Sequence, residues 1–139
     1  MGNILQYVFP ALVGLGDIVS DVSSGKYSRA TEKAILIGSL ILIQNRGTFI
    51  LKKIFKKPRP SFPNDFESFP SGHMMIATQC MTRVFWAYSG FIPRSLAVAC
   101  SAIIALGRYI PGRHDATDLC VGGLIGIALG GVWNHYIFS

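Results

Sequence analysis

The sequence predicts an all-α fold, a multi-pass transmembrane helical bundle with four long helices plus a short N-terminal apolar segment. Three observations predict it. Half of the residues are hydrophobic and only 14% are charged, where a soluble domain carries about a quarter charged residues. Long apolar runs recur between short polar stretches, and the mean hydropathy is +0.43. No run of alternating polar and apolar residues marks a strand. A length of 139 residues holds a single domain, residues 1–139.

Residues 4–19 are apolar but broken by Pro10, Gly14, Gly16 and Asp17, so they span a bilayer only marginally and are expected to lie on or cap the bundle. Residues 17–33 are polar and read as a loop with room for one short helix. A helix over 29–55 follows, apolar through residues 34–43 and interrupted by Gln44, Asn45 and Arg46. It stops short of Pro58, because the residue before a proline is pushed out of the α region. Pro58, Pro60, Pro63 and Pro70 make residues 56–71 an extended loop. A second strong helix covers 71–88, a short turn lies at 91–94, and the helix over 94–109 returns antiparallel beside it. The last helix, 118–138, is roughly 31 Å long and sufficient to span. Its Gly122, Gly126 and Gly130 form a small-residue face of the kind that lets helices approach closely.

Cys80, Cys100 and Cys120 lie in apolar segments without C-x-x-C spacing, so neither a disulfide framework nor a zinc site is expected. The N-terminus has no basic region before its apolar run, so a cleaved secretory signal is not expected. The net charge of +6 is clustered, with five of the thirteen basic residues between Lys52 and Arg59. Such a cluster suits anionic headgroups, a phosphorylated substrate or nucleic acid. The apolar helices speak against a nucleic-acid partner.

If the four long helices alternate in direction, the loops at 52–71 and 107–118 emerge at the same end of the bundle. That brings together Lys52, Arg59, Ser71, Gly72, His73, Arg108, His114 and Asp118. Three cations, a hydroxyl, a helix N-terminus, two imidazoles and one carboxylate describe a phosphate site. The N-terminus at Ser71 and Gly72 offers oriented N–H donors and the positive end of a helix dipole. Phosphoryl transfer needs positioning and charge stabilisation, which fixed lysine and arginine supply. Two histidines suit the roles of nucleophile and acid. His114 and Asp118, at i and i+4, share a helical face on which the carboxylate can orient the imidazole. No dense carboxylate cluster is present, so no metal and no cofactor are expected.

These residues resemble the three-part signature of the type-2 phosphatidic acid phosphatase superfamily, which includes lipid phosphate phosphatases and is related to vanadium haloperoxidases. Lys52 through Arg59-Pro60 is similar to its K-x6-R-P part. Pro70-Ser71-Gly72-His73 matches P-S-G-H throughout, and Arg108, His114 and Asp118 match S-R-x5-H-x3-D with Gly107 in place of the serine. The resemblance implies that His114 attacks phosphorus to form a phosphohistidine, with Asp118 holding its imidazole and His73 protonating the leaving group. Lys52, Arg59, Ser71, Gly72 and Arg108 would bind the phosphoryl oxygens. It implies metal-independent hydrolysis of a lipid phosphate or pyrophosphate by a multi-pass protein of a bacterial inner membrane, in contact with membrane lipids, its site facing the outer side. Positive-inside counting alone would instead place the loop after Lys52 in the cytoplasm. Membrane members commonly have six spanning helices, so a homo-oligomer is expected to complete the bundle. A soluble acid-phosphatase-like enzyme, vanadate-dependent halide oxidation and a non-catalytic lipid-phosphate binder are the alternatives.

Other polar residues have simpler readings. Asp115 is expected to cap the last helix, while Arg113 is read as solvated or facing headgroups. Lys53, Lys56 and Lys57 form a solvated or lipid-facing basic rim, and Asp65 and Glu67 lie on the loop surface. Trp133, His135 and Tyr136 read as an interfacial belt. Arg83, roughly 15 Å deeper than His73 at helical rise, must face the bundle and find a partner that the sequence does not name.

Overall fold

A computed structural model describes residues 2–137 of the chain. The described residues form five α-helices and no strand: α1 (Gly2–Ser23), α2 (Tyr27–Phe55), α3 (Gly72–Ala87), α4 (Phe91–Tyr109) and α5 (Ala116–Ile137). The all-α expectation holds, but the helix count does not. The N-terminal apolar segment is a full 22-residue helix that passes through Pro10, Gly14, Gly16 and Asp17. The polar stretch expected as a loop is helical except around residues 24–26. The charges that suggested a break point inward instead. Asp17 is paired to Arg83 across the bundle, and Asp21 to Lys33 of α2 at 2.5 Å.

Helix limits follow from local chemistry. Ser71 caps α3, its hydroxyl accepting from the Met74 N–H at 3.4 Å. α4 opens at Phe91, three residues earlier than expected, because Pro93 falls in its first turn, where the missing N–H has no helical partner to lose. α5 opens at Ala116 rather than at Asp118. Asp115 Oδ1 accepts from Asp118 N at 2.9 Å, and Asp118 Oδ2 accepts from Asp115 N at 3.1 Å. This reciprocal capping box satisfies donors that a helix start leaves open. The expected end of α5 at Phe138 lies outside the described residues.

α3 is the central helix, packing most extensively on α5 and then on α4, while α1 lies against α2, α3 and α4. The α3–α5 seam is close because Gly122, Gly126 and Gly130 face α3 backbone and threonine side chains directly. Phe9, Ala77, Cys80, Val84, Ala97 and Ile104 form the apolar core between α1, α3 and α4. Trp133 joins the interior at 5% exposure, correcting its assignment to an interfacial belt; the Tyr136 side chain lies outside the described residues.

α2, α4 and α5 are long and apolar enough to cross a membrane, over Tyr27–Phe55, Phe91–Tyr109 and Ala116–His135. Large apolar side chains such as Ile35, Leu42, Ile43, Ile50 and Leu124 point outward from them. α3, with 16 residues, is about 24 Å long and short of the ~30 Å hydrocarbon core.

Candidate active site

The alternation of α2 to α5 brings the end of α2, the start of α3, the end of α4 and the start of α5 to one end of the bundle. The two connecting loops are stitched together there. Ser61 N donates to the Gly112 carbonyl at 2.9 Å. Gly112 has φ +65°, and an added Cβ would collide with the Ser61 side chain. Both facts require glycine at this position. Lys57 crosses from the first loop to the second, pairing with Asp115 at 2.5 Å and Asp118 at 2.8 Å.

His114 is 1% exposed and Asp118 is fully buried. The imidazole is held by the backbone, with Nδ1 2.7 Å from the Ser68 carbonyl oxygen. A carbonyl only accepts, so Nδ1 carries the proton and Nε2 presents a lone pair in the neutral ring. Nε2 is buried and has no hydrogen-bond partner. The nearest Asp118 oxygen, Oδ2, is 3.7 Å from Nδ1, beyond hydrogen-bond reach. Instead it accepts a short bond from the Ser68 hydroxyl. In this structure Asp118 lies within ion-pair distance of His114, and Ser68 makes the hydrogen bonds to both.

Three cations surround the imidazoles. Lys52, in the last turn of α2, donates to the Glu67 carbonyl at 2.6 Å. Arg59 is paired with Asp65 at 2.7 Å, and its Nη1 is buried without a hydrogen-bond partner. Arg108, in the last turn of α4, is 7% exposed, and its carbonyl accepts from His114 N at 3.2 Å. Burial pushes the His114 pKa down to about 4; the positive charges of Lys52, Arg108 and Arg59 act in the same direction, against the Ser68 hydrogen bond. His73 lies in the first turn of α3, which is not one of the three long apolar helices. Burial lowers its pKa to about 4 as well, aided by the charges of Arg108, His114, Lys52 and Arg59. Burial and the nearby cations thus favour the neutral form of both imidazoles.

Gly72 approaches Thr48 of α2 closely, an added Cβ falling 3.2 Å from the threonine methyl. Ser71 is fully buried, and its N–H is already committed to the Asp118 carbonyl at 3.1 Å. The Ser71 amide is thus unavailable to an anion, and the Gly72 and His73 amides follow it in the helix start. Among the described residues, no three His, Cys, Asp or Glu side chains gather as a metal-binding cluster.

A cavity of about 700 Å3 opens beside the site between α1, α2 and α3. Lys52, Glu67, Gly72 and His73 line its polar end, and Pro10, Leu15, Ile18, Ile37, Ile41 and Ile76 its apolar walls. Two site residues escaped the sequence reading. Ser68 belongs to no recognisable spacing. Lys57 was read as rim, yet it is the cation that neutralises Asp118.

Two imidazoles, converging cations and a helix N-terminus meet at one end of an all-helical bundle, an arrangement suited to an anion. The chain belongs to the PAP2 superfamily, whose family model matches residues 33–139. A PA-phosphatase related-family protein of Dictyostelium discoideum is 32% identical over 77 residues, covering 45% of this chain and 28% of that protein. The chain thus spans under a third of the length of that relative. No solved structure matches.

Proposed function

We propose that this chain is an integral membrane phosphatase that hydrolyses a lipid phosphate or lipid pyrophosphate through a phosphohistidine. The cavity carries this reading. It joins an apolar trough to Lys52, Gly72 and His73 at one end, the shape expected for a phosphate headgroup on an apolar chain. From Ile37 to Lys52 the cavity runs roughly 22 Å along α2 at helical rise, its lining passing from Ile37 and Ile41 through Gln44, Asn45, Thr48 and Phe49 to Lys52. A soluble phosphate ester has no use for such a wall.

In this reading the Nε2 lone pair of His114 attacks phosphorus, and the bond from phosphorus to the leaving oxygen breaks as His73 delivers a proton to that oxygen. Lys52, Arg59 and Arg108 offset the charge on the equatorial oxygens, together with the amides at the start of α3. Water then attacks the phosphohistidine, giving its proton to His73 and releasing phosphate. The dianionic substrate supplies what His73 lacks at rest: a nearby negative charge raises its pKa and loads the acid.

The test is phosphate release from phosphatidate, a polyprenyl pyrophosphate and a soluble phosphate ester, with EDTA present. Wild type is expected to act on at least one of the lipids, and His114→Ala to lose roughly 10^4-fold or more in rate. Equal rates for the two proteins, or activity confined to the soluble ester, would overturn the reading. Acid-labile phosphate retained on wild type and absent from His114→Ala tests the intermediate.

A further inference from the structure

The molecule holds a second charged cluster at the end of the bundle away from the site. Arg83 of α3 donates to both carboxylate oxygens of Asp17 in α1, at 2.9 and 2.6 Å, and to Asn134 of α5 at 3.1 Å. The Arg83 and Asp17 side chains are 11% and 12% exposed. Asn134 is in turn fixed by the Gly130 carbonyl at 2.6 Å. Such a pair contributes little net stability over apolar packing, but its bidentate geometry specifies position.

What it positions follows from the cavities. One face of α1 lines the 700 Å3 trough through Ala11, Gly14 and Leu15. Another face lines a second cavity of about 340 Å3, through Leu12, Val13 and Asp17, shared with α3 and α4. A void offers no partner atoms, so beside these cavities α1 lacks the contacts that Phe9 and Val13 make with the core. The directional contact is the one from Asp17 to Arg83. One turn further along α1, Asp21 pairs with Lys33 of α2 at 2.5 Å. Among its neighbouring helices α2 packs chiefly on α1, and it carries Lys52 at its far end.

We infer that Asp17 and Arg83 are positioning residues: they are the pivot on which the α1–α2 hairpin is set against the bundle, and they thereby fix the width of the trough that takes the substrate's apolar chain. Loosening the pivot shifts the part of α2 where Ile37 and Ile41 line the trough, while Lys52 at its other end stays tied to the Glu67 carbonyl at 2.6 Å. The inference rests on the lipid-phosphate reading of the site, so its test has one arm that needs no activity.

In that arm, spin labels replace the outward-facing Ile35 of α2 and Leu124 of α5 in a background with the three cysteines changed to alanine. Asp17→Asn and the doubly apolar pair Asp17→Leu with Arg83→Met are expected to broaden or shift the inter-label distance, while Asp17→Glu keeps it. An unchanged distribution in both of the first two proteins, each monodisperse and folded, overturns the pivot whatever the enzyme does. In the second arm, Asp17→Asn is expected to raise KM for long-chain phosphatidate about tenfold, leaving kcat and the kinetics on dibutyryl phosphatidate within about twofold. Equal losses on both substrates, as a merely structural role would give, also overturn it. If wild type hydrolyses neither substrate, the phosphatase reading falls and the distance measurement alone decides the pivot.

Discussion

The Ser68 carbonyl oxygen lies 2.7 Å from His114 Nδ1, and the hydroxyl of the same serine bonds to Asp118. One residue therefore sets the tautomer of the imidazole with its backbone and ties down the carboxylate with its side chain. Ser68→Ala keeps the carbonyl and removes one of the donors to Asp118, so it should cost about 1–3 kcal/mol of stability while His114 keeps its tautomer. Asp118→Asn breaks the ion pair to Lys57, whose side chain is 33% exposed and retains Asp115. The about 3–5 kcal/mol typical of a broken buried pair is reduced by that exposure to about 2 kcal/mol. Thermal unfolding in detergent and phosphate release check both. A Ser68→Ala protein that folds but is as inactive as His114→Ala would refute orientation by the carbonyl.

The two neutral histidines set a pH dependence. Both have folded-state pKa values near 4, against an ordinary value near 6.5. Between these values the unfolded chain binds protons that the folded one refuses, so stability must fall as pH drops from about 6.5 towards 4. The slope is at most about 1.4 kcal/mol per pH unit for each imidazole. Melting temperature against pH should show this decline, and His114→Gln should flatten it. For activity, the acid limb of kcat/KM should lie well below 6.5, because Nε2 of the free enzyme keeps its lone pair down to about pH 4. A limb at 6.5 would count against the burial of these groups.

The site end of the bundle was legible because its signals are short. Helix alternation placed the loops, and three compact runs of polar residues named Lys52, Arg59, His73, Arg108, His114 and Asp118. What was not legible depends on contacts between distant residues. Asp17 looked like the end of a helix because its partner Arg83 is 66 positions away. Lys57 looked like one more cation of a basic cluster, and only folding brings Asp118, 61 positions on, within 2.8 Å. Ser68 acts through its carbonyl, which every residue type possesses, so no side-chain pattern could have marked it.

Lys57 and Lys53 offer a contrast within that cluster. Burial works against the Lys57 ammonium, but its bonds to Asp115 and Asp118 outweigh the penalty and raise its pKa. Lys53 is exposed, lying over the Phe49 ring at 4.4 Å. Lys57→Met should lower the melting temperature and phosphate release together, because it leaves Asp118 without its cation inside the bundle. Lys53→Met should change stability by no more than about 1 kcal/mol. Equal effects from the two substitutions would mean that the cluster acts only as a diffuse positive rim.

The glycines of α5 separate packing from propensity. At Gly126 an added Cβ would run into the Met75 carbonyl oxygen and the Thr78 hydroxyl, and at Gly122 it would come 2.5 Å from the Ser71 carbonyl oxygen. None of these three obstacles is the far end of a long flexible side chain. At Gly131 nothing lies within 4 Å. In a helix interior alanine is favoured over glycine by about 1 kcal/mol, so Gly131→Ala should be neutral or stabilising. Gly126→Ala must force α3 and α5 apart, at a cost of about 3 kcal/mol or more, which exceeds the propensity gain. Moving α3 also moves His73 and the Ser71 cap against Asp118, so activity should fall faster than folded yield. Thermal stability and phosphate release for the two alanine variants test this directly: a stable, fully active Gly126→Ala would show that the seam is looser than its geometry requires.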